Sequence, residues 1–167
     1  PSVLVGDFLY SRAFQMMVDI GQLDIMGILA GATNTIAEGE VLQLTNIGNI
    51  ATTETEYREI IRCKTALLFE AACHTGAVLA SDKTGASPEL MRRFGLHFGI
   101  TYQLVDDWLD YVGDSETLGK NVGDDLAEGK LTLPLIYAIQ NAPTKQRQTI
   151  ETAIASRSVA ELPDVLE

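Results

Sequence analysis

Apolar residues recur along most of the chain at the three- and four-residue steps of helices, and no stretch shows the two-residue alternation of strands. Leu90, Phe94 and Phe98 are one example of such a helical face. The helices that the pattern predicts are 3–18, 23–44 with a break near Gly31, 54–79, 88–112, 131–141, 143–156 and a last one from 159 onward. Because the helices are long and most connections short, the pattern predicts a single all-α bundle over residues 1–167.

Two of these helices begin with capping signals. Thr53 and Glu56 have the spacing of a capping box, and Ser87 before Pro88 combines an N-cap residue with proline in the first turn. Residues 114–130 are polar and contain three glycines, which predicts a loop. The helix after this loop contains Pro134, which only its first turn can accommodate.

Acidic residues cluster at the end of the helix predicted over 88–112. Gln103, Asp106 and Asp110 are spaced to share one face, and Asp107 lies beside them. Like charges this close repel, and anions at a helix C-terminus oppose its dipole, at roughly 0.3–1 kcal/mol each. One interpretation is an acidic turn exposed to water. The other is a cation site, because ligands that are all oxygen suit Mg²⁺.

Lysines occur at three places that could serve an anion. Lys64 and Thr65 lie within an apolar helical run, where the lysine either extends to water or contacts a phosphate. Lys120 and Lys130 belong to a glycine-rich loop that lacks the spacing of a nucleotide-binding P-loop and is either solvated or closes over an anion. An aspartate cluster combined with separate lysines is what a diphosphate held through Mg²⁺ requires.

Charge and cysteine content narrow the classes of function. The net charge of −11 argues against binding to nucleic acid or to anionic membranes, and no apolar run is long enough for a transmembrane segment. Cys63 and Cys73 are ten residues apart on one predicted helix, or about 15 Å, which is too far for a disulfide. Two free thiols are typical of a reducing compartment, so we expect a cytoplasmic protein.

These motifs resemble those of the all-trans polyprenyl diphosphate synthases, and of their bacterial long-chain members in particular. Asp106, Asp107 and Asp110 match the second aspartate-rich motif, DDxxD, of that family. Lys64 and Thr65 match its KT pair, and residues 119–130 resemble the segment that follows the aspartates. The similarity extends to about residue 142, with Leu131 standing where the family usually has proline.

The resemblance implies an isoprenoid-synthase-type helical bundle and a role for each site residue. Asp106, Asp107 and Asp110 would hold Mg²⁺, and Lys64, Lys120 and Lys130 would bind the substrate diphosphate. Thr65 and Gln103 would act beside Lys64 as catalytic hydrogen-bonding partners. The implied reaction condenses isopentenyl diphosphate with an allylic prenyl diphosphate into a long-chain polyprenyl diphosphate, which we expect to supply the side chain of a quinone.

The resemblance also carries expectations about the chain as a whole. The family's first aspartate-rich motif and its last helices have no counterpart here, so we expect a fragment with an incomplete bundle that is inactive alone. A homodimer through the first two helices is implied as well, with Met17 and Leu29 on the floor of a product tunnel. Two alternatives remain open: a non-catalytic subunit of a heteromeric prenyltransferase, and a helical scaffold without metal.

Overall fold

The computed structural model describes residues 2–113, 122–157, 160 and 162–165, together with their side chains except those of 81–84. Every regular element in these ranges is helical. The helices are α1 (Ser2–Ile20), α2 (Leu23–Asn46), α3 (Glu54–Ile61), α4 (Leu67–Thr84), α5 (Pro88–Val112), α6 (Asp124–Ala127), α7 (Leu133–Asn141), α8 (Thr144–Ser156) and α9 (Leu162–Val165), with a π-helical turn, Arg62–Ala66, between α3 and α4. The all-α prediction is confirmed.

Helix α2 runs without interruption, so the predicted break near Gly31 is wrong. A side chain added at Gly31 would meet no atom, so packing does not require glycine at this position. Its cost is one of helix propensity, about 1 kcal/mol, and the surrounding helix formers outweigh it. Gly39 in the same helix differs, because a Cβ there would collide with Cys63. It therefore allows α2 to approach the π turn closely.

The helix predicted over 54–79 begins as expected but is not regular. Thr53 and Glu56 form the predicted capping box, in which each side chain accepts from the other residue's backbone N–H. The π turn that follows was not anticipated, and it contains Lys64 and Thr65. Single π turns inside α-helices are rare and occur frequently at functional sites.

Helix α5 packs along α4 at very short distance. Ser87 caps its start by accepting from Leu90 N, as predicted. Gly95 and Gly99 face the neighbouring helix so closely that a Cβ at either position would overlap the backbone of Phe69 or Ala66. These two glycines set the separation between the π turn and the acidic end of α5.

The C-terminal part builds the core beneath that acidic end. Of the loop predicted over 114–130, residues 114–121 lie outside the described residues, and residues 122–130 include a short helix, α6, which sequence periodicity could not reveal in four residues. Pro134 lies in the first turn of α7, as predicted. The buried cluster joins α3, the end of α5, and α6 to α8, through Tyr57, Ile61, Tyr111, Leu126, Leu131, Leu135, Ile136, Ile139, Ile150, Ala153 and Ile154.

Two helices present apolar faces to the outside. In α1 only Met17 is buried, and α1 contacts little besides α2. The apolar stripe of α5 is likewise exposed within the described residues. The exposed side chains include Val3, Leu4, Phe8, Leu9, Met16 and Val18 in α1, and Leu90, Phe94, Phe98, Tyr102, Val105 and Trp108 in α5. Among the described helices, none is both long and apolar enough to cross a membrane.

Candidate diphosphate and metal site

A cavity of about 290 Å³ opens at the acidic end of α5, above the C-terminal core. Its walls come from α2, α3, the π turn, α5 and the segment 125–132. The lining residues are Gln43, Asn46, Ile47, Thr52, Tyr57, Ile60, Ile61, Lys64, Gln103, Asp106, Asp107, Asp125, Lys130, Leu131 and Thr132. The cavity thus brings two lysines and three carboxylates from separate parts of the chain into one space.

Gln103 connects the lysine-bearing turn to the aspartates. Its Oε1 accepts a hydrogen bond from the Thr65 hydroxyl at 2.7 Å. Its Nε2 donates to Asp107 Oδ1 at 2.6 Å and to Asp106 Oδ2 at 3.3 Å. Because both ends of the amide are engaged, Gln103 has one favoured orientation, which fixes the aspartates relative to the π turn.

Asp107 is the most enclosed carboxylate at the cavity, with 4% of its surface exposed. Tyr57 donates to Asp107 Oδ2 at 2.6 Å, so that both oxygens accept bonds from protein donors. Burial raises the pKa of Asp107 above its ordinary value, and the charges of Asp125 and Asp106 add to the rise, although the two hydrogen bonds oppose it. The site thus holds negative charge at an energetic cost that a bound cation would relieve.

The two lysines of the cavity are in different electrostatic states. Lys64 makes no hydrogen bond or ion pair with the described residues and is half-buried at the wall. Lys130 donates to Asp125 Oδ1 at 3.0 Å and also pairs with Glu128. Burial lowers the pKa of Lys130, but the bonds to Glu128 and Asp125 outweigh it and raise the pKa to about 12. Both lysines are positioned to meet an anion in the cavity.

Asp110, the last aspartate of the motif, does not line the cavity. Only 3% of it is exposed, and its Oδ2 accepts from Asp125 N at 3.1 Å. Its backbone oxygen accepts from Gly123 N at 2.8 Å. Of the three aspartates that the resemblance assigns to Mg²⁺, Asp106 and Asp107 therefore line the cavity and Asp110 does not. Asp110 instead attaches the start of α6 to the end of α5.

Two further residues predicted for the site are Thr65 and Lys120. Thr65 does not line the cavity and reaches the site through its hydrogen bond to Gln103, whereas Lys120 lies outside the described residues. Periodicity did not reveal Tyr57 or Asp125. Tyr57 had a detectable signal, since it precedes Lys64 by seven residues and so shares its helix face. Asp125 had none, because only the fold brings it to the cavity.

The described residues alone do not form a complete metal site. No three of their aspartate, glutamate, histidine or cysteine side chains come together closely enough to hold an ion. Mg²⁺ usually takes one or two carboxylates and completes its shell with phosphate oxygens and water. The donors in the cavity fit that mode of binding, in which the ion and a diphosphate are held together.

Comparison with known proteins places this geometry in a family. Residues 1–167 match the family Polyprenyl synthetase. The chain is 51% identical to octaprenyl diphosphate synthase of Escherichia coli K12 over 92% of this chain and 47% of that protein. It is 47% identical to an all-trans-nonaprenyl-diphosphate synthase of Rhodobacter capsulatus over 99% of this chain and 50% of that protein. The chain thus spans about half the length of these relatives.

A solved structure agrees with the sequence comparison. The polyprenyl synthase of Caulobacter crescentus, crystallised with calcium and isoprenyl diphosphate, superposes with a TM-score of 0.90 at 46% identity, over 99% of this chain and 51% of that one. The family motifs identified in the sequence, the cavity lined by Lys64, Asp106, Asp107 and Lys130, and these similarities all agree. The chain belongs to the polyprenyl synthetase family.

Proposed function

We propose that this chain forms part of a Mg²⁺-dependent polyprenyl diphosphate synthase that makes long-chain products for quinone side chains in the cytoplasm. The observation that supports it most is the single cavity in which Lys64 and Lys130 face Asp106 and Asp107. Cations and carboxylates that line one cavity are what a metal–diphosphate complex requires. In a helical scaffold without metal, nothing would require a half-buried lysine that makes no ion pair with the described residues.

The residues of the cavity suit Mg²⁺ bound together with an allylic diphosphate. Asp106 and Asp107 would hold the ion, with Asp110 behind them as a support of the neighbouring segment. Bound there, Mg²⁺ supplies positive charge that stabilises the departing diphosphate. The ligands from this chain come mainly from one helix, so phosphate oxygens have to complete the coordination shell.

The protein's own groups would act by position and charge. Lys64, Lys120 and Lys130 would bind diphosphate oxygens, and Thr65 and Gln103 would keep Lys64 and the aspartates in register. The allylic C–O bond then breaks, and its electron pair leaves with the diphosphate. The double bond of isopentenyl diphosphate attacks the resulting cation, and loss of a proton restores an allylic product. Fixed charges aimed at the leaving group are the main source of catalysis in such a step.

Replacement of Lys64 by alanine tests the assignment. Hydrogen bonds to charged groups contribute about 1.5–3 kcal/mol, so Lys64→Ala in the full-length gene product should weaken binding of the allylic diphosphate about 10- to 150-fold. Lys145→Ala is the matched control, because Lys145 is exposed on α8 and does not line the cavity. Chain elongation and substrate affinity are measured together. Equal losses in both variants, or none in either, would contradict the proposal.

The partners that we propose are isopentenyl diphosphate, an allylic prenyl diphosphate and a second copy of the chain. Support for a homodimer is the apolar surface of α1, which is exposed although its residues are large and hydrophobic. A helix that is apolar on more than one side is normally covered on more than one side. Sedimentation of the full-length gene product should show a dimer, and a monodisperse monomer at micromolar concentration would count against it. Met17, buried, and Leu29, half-buried, stay candidates for the tunnel floor.

A further inference from the structure

The segment 123–130, which we call the strap, contributes to the cavity a carboxylate that does not belong to the aspartate-rich motif. Asp125 lines the cavity together with Asp106 and Asp107, and its side chain is 17% exposed. Its Oδ1 accepts from Lys130 Nζ at 3.0 Å. Glu128 pairs with the same ammonium from the other side, but it is 60% exposed and does not line the cavity.

The strap is fixed to the body of the protein at both ends. Asp110 accepts from the backbone N–H groups of Gly123 and Asp125, and Gly129 O accepts from Gly48 N at 2.8 Å. Gly123 and Gly129 both have φ values in the left-handed region, +85° and +72°, which glycine adopts without strain. The backbone that carries Asp125 is therefore held at the cavity wall.

In this arrangement, Asp125 and an incoming diphosphate compete for the ammonium group of Lys130. While Asp125 and Glu128 hold the ammonium, a diphosphate that enters the cavity must compete with Asp125 for it and is repelled by the Asp125 charge. A divalent cation at the aspartates would offer Asp125 another partner and would remove that repulsion. If Asp125 pairs with Lys130 in the absence of a cation and with the cation when it is bound, binding of the cation and binding of the diphosphate depend on each other.

We propose that Asp125 couples cation binding to diphosphate binding, as a positioning residue that releases Lys130 to the diphosphate when a divalent cation draws its carboxylate away. The inference rests on the proposed function, since it assigns a role within the same site. It adds a second carboxylate source, the strap, to the helix that carries the aspartate-rich motif. It also gives Asp110 a definite task, which is to hold Asp125 in place.

Binding of inorganic pyrophosphate to the full-length gene product tests the coupling without relying on turnover. Affinity is measured by calorimetry in chelator and again with saturating Mg²⁺, and the ratio of the two affinities is compared among variants, so that complexation in solution is common to all. Asp125→Asn should tighten metal-free binding and reduce the Mg²⁺ enhancement by about fivefold or more. Glu128→Gln, which removes the other partner of Lys130 away from the cavity, should leave the enhancement at the wild-type value.

A second variant shows whether the effect passes through Lys130. In a Lys130→Gln background, the metal-free gain produced by Asp125→Asn should be largely lost. Asparagine matches aspartate in shape and keeps the backbone N–H that Asp110 accepts, and circular dichroism confirms folding. If Asp125→Asn keeps the full enhancement, or if Glu128→Gln lowers it equally, the coupling is refuted while the proposed function stands. If wild-type protein binds no pyrophosphate in either condition, the proposed function fails, and the coupling with it.

Discussion

The residues that line the cavity differ most in how many hydrogen bonds they already make within the protein. Asp107 accepts from Tyr57 and Gln103, whereas Lys64 has no hydrogen-bonding partner among the described residues. Sequence spacing identified the helix face of the aspartates but could not separate Asp107 from Asp110, because the difference depends on contacts with α3 and α6, fifty and fifteen positions away. Those long-range partners determine which carboxylate meets a ligand.

The burial of Asp107 predicts a pH-dependent cost in stability. The folded protein holds the Asp107 proton more tightly than the unfolded chain, where the pKa is near its ordinary value of 3.8. The free energy of unfolding therefore falls as pH rises from 3.8 through the raised pKa, by about 1.4 kcal/mol for each tenfold change in proton affinity, and the loss persists above it. Functional sites commonly carry such a cost.

Asp107→Asn should remove this pH-dependent loss in the free energy of unfolding. Urea denaturation in chelator, from acidic to neutral pH, is expected to show the variant gaining stability relative to wild type as pH rises, while chain elongation is lost. The hydrogen bond from Tyr57 favours the ionised carboxylate and is already part of the net rise of the Asp107 pKa, which burial dominates. Stability curves that stay parallel over the whole range would show that the Asp107 proton is bound alike in both states.

At the scale of elements, the sequence identified helices well where capping and periodicity act locally. The starts at Thr53 and Ser87 and the all-α class are confirmed. The π turn and α6 were missed for different reasons. A single π turn shifts the helical face by only one residue, which is hard to recognise within an apolar run, and α6 is too short to show a period. Both depend on neighbouring elements, the π turn on Gly39 and Gly99 opposite it, and α6 on Asp110.

The glycines between α4 and α5 predict a sharp contrast between two similar substitutions. Gly99→Ala would place a Cβ against the Cα of Ala66 in the π turn, which should cost about 1–3 kcal/mol and displace Lys64 and Thr65 from the aspartates. Gly76→Ala in α4 meets no atom and should stabilise the helix by about 0.5–1 kcal/mol. Thermal unfolding and pyrophosphate affinity measure both effects. Similar behaviour of the two variants would mean that the close approach does not position the site.

For the whole molecule, the main feature is the contrast between a contiguous core and exposed apolar helix faces. The core joins α3 and the end of α5 to α6–α8, while α1 and the outer face of α5 expose large apolar side chains. Soluble monomers rarely leave apolar patches of this kind uncovered. The α5 stripe was correctly identified from its spacing, but spacing cannot tell whether a neighbour covers an apolar face. The protein is therefore expected to associate through these surfaces.

Residues 1–167 expressed alone are expected not to condense isopentenyl diphosphate with an allylic diphosphate at a useful rate. Within the described residues the carboxylates at the cavity come from α5 and the strap, and no three acidic groups meet closely enough to hold a metal. Mg²⁺ gives up its water reluctantly and demands near-octahedral ligands, so a site built from one side should bind it weakly. Catalysis by positioning falls steeply when a reactant is not held.

The measurement supplies both substrates and Mg²⁺ to purified residues 1–167 and follows chain elongation, with the octaprenyl diphosphate synthase of Escherichia coli K12, 51% identical, as the active control. Pyrophosphate affinity is recorded in parallel, because Lys64 and Lys130 should retain weak binding even where turnover is lost. We expect this combination, residual binding without elongation, from a site whose metal ligands come from one side of the cavity. Turnover comparable to the control enzyme would instead show that the described cavity already contains every group the reaction needs.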